Sequence, residues 1–190
     1  MPLKIIHPQH TEVMGTGLVL ISSPPVIGQK GDLNAGQIAE EVALLSRSWA
    51  IIAREIKQDQ EGDRVLQAGS DFDKSVQTFV REYGIKYIIV IVGTSEPGIM
   101  IRAHPDDSTS EEILEIIRSG LEPHFRTQVA NPGAEDLSSQ VLPIVRLELG
   151  PDEQGFMKDQ FVNSITDIIG LINTRLGFSE SNESSSGVLD

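Results

Sequence analysis

The sequence predicts an α/β protein, a three-layer α/β/α sandwich built on a mixed, mostly parallel sheet. Three observations carry that expectation. Residues 87–92 (YIIVIV) are rich in β-branched side chains and lack polar alternation, as a strand buried on both faces requires. Runs of that kind alternate with segments whose apolar residues recur at helical spacing. The connections are short and built largely from Gly, Pro, Ser and Asn. One domain over residues 1–178 is expected, followed by a serine-rich polar tail, 179–190, with the composition of a disordered segment.

In chain order, residues 3–6 (LKII) read as a short edge strand. His7-Pro8-Gln9-His10 sets two imidazoles close together. Pro8 opposes the helix that would bring positions i and i+3 onto one face, so an exposed turn is expected there in preference to metal ligation. Residues 18–21 (LVLI) form a strand closed by Ser22, Ser23, Pro24 and Pro25, because two prolines cannot continue a central ladder. Asn34 caps a helix with Gln37 reaching back, and Ile38, Val42, Leu45 and Trp49 supply its core stripe. Residues 50–53 (AIIA) are the next strand. Ser70 with Asp73 caps a second helix carrying Val76, Phe79, Val80 and Tyr83, and Gly84 ends it.

The strand at 87–92 comes next. Residues 93–98 (GTSEPG) are turn chemistry, and 99–101 (IMI) are read as its partner strand across a hairpin loop. Ser108 with Glu111 caps a third helix, buried through Ile113, Leu114, Ile116 and Ile117 and stopping at Gly120. Residues 125–130 are a short strand and 131–133 (NPG) a turn. In the last strand, 143–150 (PIVRLELG), alternation places Arg146 and Glu148 on one face. Phe161, Ile165, Ile168, Ile169, Ile172 and Leu176 mark the longest helix, ended by Gly177.

Composition narrows the function classes. The net charge is −13, and a polyanion of that sign repels phosphate backbones, so nucleic acid is not an expected partner. The absence of cysteine excludes disulfides, thiolate zinc sites and cysteine nucleophiles, and fits a cytoplasmic location. Neither a basic-then-apolar leader nor a membrane-length apolar run is read in these 190 residues. Gly28, Gly31 and the helix near Asn34 suggest a phosphate loop, but neither phosphate-loop glycine pattern is present and Asp32 would repel phosphate. No G-x-S-x-G elbow occurs.

Two stretches carry chemistry by resemblance. Ala103-His104-Pro105-Asp106-Asp107 resembles the AHPDD motif of zinc-dependent N-acetylglucosaminyl deacetylases. That resemblance implies His104 and Asp107 as zinc ligands and Asp106 as base, a chemically sensible set. The competing reading is a turn leading into the helix capped by Ser108.

The second resemblance spreads over residues 17–176: the apolar strand into a Ser/Pro/Gly loop, Asp63-Arg64-Val65, the buried strand ending in Gly93, Asn131-Pro132-Gly133, and Arg146-Leu147-Glu148 before a long terminal helix. This order resembles the N-formylglutamate amidohydrolase family, relatives of the zinc carboxypeptidases. The resemblance implies Glu148 as general base and Arg64 as partner of a substrate carboxylate. The two zinc-binding histidine slots fall on Ser23-Pro24-Pro25 and on Val92, which cannot ligate a metal, and the Asp-x-Asn-Arg segment expected after Arg64 is replaced by Gln67-Ala68-Gly69-Ser70.

The resemblance with those gaps implies a member of that fold without zinc hydrolase activity, with no metal or other cofactor. It would bind a small carboxylate or peptide ligand, or a protein partner, among Ser22, Ser23, Arg64, Gly93, Thr94, Glu96, Arg146 and Glu148, with homo-oligomers allowed. The rival is an active, zinc-dependent amidohydrolase or deacetylase with a rearranged site around His104, Asp106 and Asp107. A third reading is an assembly role with no pocket that matters, and Arg146 and Glu148 are also read as a solvated or mutually paired strand face and nothing more.

Overall fold

The structure, a computed structural model, describes residues 2–8, 10–24, 34–53, 71–103, 108–130 and 142–178, with backbone alone at 71–73 and 108–110. Along the chain lie β1 (Leu3–Ile6), β2 (His10–Met14), β3 (Val19–Ser23), α1 (Ala35–Ser46), β4 (Trp49–Ala53), α2 (Asp71–Glu82), β5 (Tyr87–Gly93), β6 (Ile99–Ala103), α3 (Ser108–Leu121), β7 (Thr127–Ala130), β8 (Ile144–Leu149), α4 (Pro151–Gln154) and α5 (Lys158–Arg175). The strands form one eight-stranded sheet in the order β1-β2-β4-β3-β5-β8-β6-β7. Its centre, β4-β3-β5-β8, is parallel; β1 and β2 flank it antiparallel on one side, and β6 runs antiparallel to β8 on the other.

The apolar runs become the central strands because their side chains meet apolar partners on both faces. Ile89, Ile91, Ile21, Val145, Leu147 and Ile101 pack under α1, α3 and α5, where Ile38, Ile117, Phe161, Ile165 and Ile169 complete the larger core. On the opposite face Leu20, Ile51, Ile88 and Ile144 meet Val76 and Phe79 of α2 in a smaller core. Helices on both faces of a mixed sheet make the three-layer sandwich that the sequence predicts.

Several expectations are corrected. The lead-in holds a second strand, β2, which ties β1 to β4. The residues 99–101 do not pair with β5: β8 lies between them, parallel to β5 and antiparallel to β6. β3 continues through Ser22 and Ser23, both buried, so the ladder runs to the prolines. Asn34 does not cap α1 with its side chain; its amide Nδ2 donates to the Gln154 carbonyl at 3.2 Å.

Leu45, 55 % exposed, lies off the face that Ala35, Ile38, Ala39, Val42 and Ala43 bury, and α1 ends where Arg47 turns left-handed (φ 54°). Trp49 therefore opens β4, where it stacks on Tyr83 of the α2 segment at 4.1 Å. Gly120 does not stop α3; it sits where a Cβ would be 2.6 Å from the Ile168 side chain, so it lets α5 approach. A four-residue helix, α4, adds to the expected elements. Gly84 (φ 66°) and Gly177 (φ 88°) end their helices in the left-handed region as expected. The tail 179–190, Ser70 and the turn at 131–133 lie outside the described residues, and the side chains of Asp73 and Ser108, on which the two capping pairs depend, are not described.

Candidate functional site

The carboxyl ends of the parallel strands lie along one edge of the sheet, where open α/β sheets place ligands. Two polar clusters stand on the α2 face of this sheet, one on each side of the parallel centre.

The first lies on β8 and β6. The register sets Arg146 opposite Arg102 and Glu148 opposite Met100. One oxygen of Glu148, Oε1, takes both guanidinium groups: Arg102 Nε donates at 2.9 Å, and Arg146 Nε lies at 3.2 Å. The carboxylate is 15 % exposed and each arginine side chain 29 %, so the group is half-buried.

Ser22 shares this face: it is level with Val90 on β5, which is level with Arg146 on β8. Two strand spacings separate Ser22 from Arg146, roughly 10 Å. The other predicted residues are not brought onto it. Alternation turns Ser23 to the opposite face. Gly93 ends β5, and Thr94 follows it with its N–H on the Leu149 carbonyl at 2.9 Å. Glu96 is exposed in the next loop, with its N–H on Thr94 Oγ1 at 3.3 Å. Arg64 lies outside the described residues.

Zinc, which the resemblance implies beside Glu148, does not fit the residues there. Val92 is the direct neighbour of Glu148 across the β5–β8 pair, and it is buried. Pro24, after β3, offers no donor. β6 ends at Ala103, opposite Val145 near the start of β8, at the edge away from the carboxyl ends of β5 and β8. His104, Asp106 and Asp107 themselves lie outside the described residues.

The second cluster falls where the sequence predicts an exposed turn, and the structure corrects that expectation. A backbone bond from His7 N–H to the His10 carbonyl, 2.9 Å, closes the β1–β2 turn. It stacks the two rings, centroids 4.5 Å apart and 17° from parallel. His10 is only 5 % exposed. Glu12, two residues on and hence on the same face of β2, receives both rings: His10 Nε2 lies 3.1 Å from Oε1 and His7 Nε2 3.2 Å from Oε2. Ser75 of α2 brings its hydroxyl to 3.2 Å from His10 Nε2. Burial works to raise the Glu12 carboxyl, but hydrogen bonds with His10 and then His7 outweigh it and hold the group below its ordinary range.

Strands β4, β3 and β5 separate this cluster from Glu148, four strand spacings or roughly 19 Å, so the two cannot act on one small molecule. Sequence patterning does not single out Arg102, whose only signal is its alternation with Met100 and Ile101, nor Glu12. It also passes over Glu153, a buried residue at the head of α4 whose Oε2 has no hydrogen-bond partner among the described residues.

No protein-family model and no curated protein matches the chain. Solved structures do. A bacteriophage poly-gamma-glutamate hydrolase superposes with a TM-score of 0.58 at 11 % identity, over 90 % of this chain and 91 % of that one. Gene product Atu2144 from Agrobacterium tumefaciens gives 0.56 at 10 %, over 88 % and 96 %. The N-acetylmuramoyl-L-alanine amidase AmiC2 of Nostoc punctiforme gives 0.51 at 11 %, over 85 % and 98 %. No described helix is long and apolar enough to cross a membrane. The chain thus has the fold of a hydrolase and an amidase over nearly its whole length, and at these identities the likeness is one of fold, without singling out the N-formylglutamate amidohydrolases.

Proposed function

We propose that this chain binds a small carboxylate or a peptide carboxylate on the β8–β6 face and does not hydrolyse amides by a zinc mechanism there. The observation that carries the proposal is the pair of guanidiniums facing each other across two strands and spaced by one shared carboxylate. Arginine forks match carboxylates in geometry and charge, and half-burial strengthens such bonds over those in open water. Glu148 spaces the arginines in this reading. As a base it would need a water activated by a metal, and its neighbour Val92 supplies no ligand. Ser22 offers a hydroxyl on the same face.

The test is calorimetric titration of glutarate and N-acetyl-L-glutamate into the full chain, with amide hydrolysis of the latter followed with and without zinc. Binding without hydrolysis is expected. Arg146→Met should weaken it about 10- to 100-fold, the worth of one charge-assisted hydrogen bond. Absence of binding for both probes, binding indifferent to Arg146→Met, or zinc-dependent hydrolysis lost in His104→Ala would each overturn the reading, the last in favour of the rearranged metal site.

A further inference from the structure

The structure assigns a divalent transition-metal site, of the zinc class, to His7, His10 and Glu12. Among the described residues this is the group of histidine, aspartate and glutamate side chains whose ligand atoms all lie within 4.8 Å of one another. Two imidazole nitrogens and a carboxylate are a set that zinc accepts, with a fourth position left open.

The spacing favours an ion. Ligands of a four-coordinate zinc stand about 2.0–2.1 Å from the metal, which sets neighbouring donor atoms about 3.3 Å apart. Each imidazole Nε2 already lies 3.1 or 3.2 Å from its own oxygen of Glu12. One donor atom from each residue falls within 4.8 Å of the others, close enough for a small shift to close them around one ion. The chain reaches the arrangement through regular structure. The turn hydrogen bond stacks residues i and i+3, and strand alternation adds i+5 on the same side.

Burial grades across the cluster: the His10 side chain is 6 % exposed, Glu12 14 % and His7 39 %. A metal would therefore enter from the His7 side and keep its fourth position toward solvent or toward the Ser75 hydroxyl, 3.2 Å from His10 Nε2. The register pairs His10 with Ala53 and Glu12 with Ile51, so the ion would brace the β1–β2 turn beside the carboxyl end of β4. Lying roughly 19 Å from Glu148, the site stands apart from the ligand face proposed above.

The test loads the chelator-stripped full chain with Zn2+ and, separately, Co2+. One Zn2+ per chain is expected, together with the visible absorption of four-coordinate Co2+. His7→Ala, at the exposed ring, and Glu12→Gln should each abolish stoichiometric uptake while Trp49 fluorescence reports an intact fold. His104→Ala should change nothing. A folded wild-type chain that takes up no Zn2+, or uptake that survives His7→Ala with Glu12→Gln, overturns the assignment. So does uptake lost in His104→Ala alone.

Discussion

Replacing Glu148 by Gln tests whether one carboxylate holds two arginines apart. Both Nε atoms lie on Oε1, at 2.9 and 3.2 Å, so they stand no more than about 6 Å from each other. Two unit charges at that separation and an effective dielectric of about 20 repel by about 3 kcal/mol, a repulsion that Glu148 offsets and that a glutamine there would not. Side chains 29 % exposed can swing toward solvent and recover part of this, and the cost should fall between the exposed and buried limits, near 2 kcal/mol. For a chain of this size that is a fall in Tm of about 4–8 °C.

Urea unfolding followed by the single tryptophan, Trp49, stacked on Tyr83, measures it. The informative comparison is the double variant Glu148→Gln with Arg146→Met. Removing one of the two charges abolishes their mutual repulsion and should recover most of the loss, less the packing given up by the Arg146 stem. A single variant within about 0.5 kcal/mol of wild type, the range of ordinary surface substitutions, would refute the shared-carboxylate account. So would a double variant less stable than the single.

The strand ends give two more expected outcomes. A Cβ on Gly150 would stand 2.5 Å from the Glu96 carbonyl oxygen and 2.8 Å from Gly98 N, backbone atoms that cannot swing aside. Gly150→Ala should therefore cost about 1–3 kcal/mol by overpacking and push the 94–98 loop off β8; an unchanged Tm by calorimetry would refute the close approach. Asn173, 8 % exposed on α5, accepts the Leu18 N–H on its Oδ1 at 2.8 Å, ahead of β3. Asn173→Ala strands that donor and should lower stability by about 1–3 kcal/mol, read as a lower urea midpoint at unchanged slope. A midpoint equal to wild type would mean that water replaces the amide.

What can be read from the residues divides along a physical line: signals local to one element are legible, and pairings between elements are not. The run at 87–92 shows itself as an interior strand because burial on both faces is recorded in consecutive side chains. Arg146 and Glu148 share a face because strand alternation is fixed by covalent geometry, and the expected mutual pairing is present. Arg102 reaches Glu148 from 46 residues away, through an antiparallel register that nothing in residues 99–103 announces. The hairpin expected between β5 and β6 fails for the same reason. A short loop permits pairing, but six parallel register positions between β5 and β8 outweigh the entropic advantage of local closure.

Trp49 fits the spacing of the α1 stripe and yet belongs to β4, because the break at Arg47 is a left-handed residue without glycine to mark it. The histidines make the sharpest case. Pro8 correctly excludes the helix that would align positions i and i+3, yet excluding a helix does not separate them. A hairpin turn closed by the His7 N–H on the His10 carbonyl aligns the same two positions, and β2 then delivers Glu12 to both rings. A proline between two histidines thus limits which backbone can join them, while a metal responds only to where the donor atoms end up. Helix geometry is the wrong test for this segment, since here a turn and a strand bring the three side chains together.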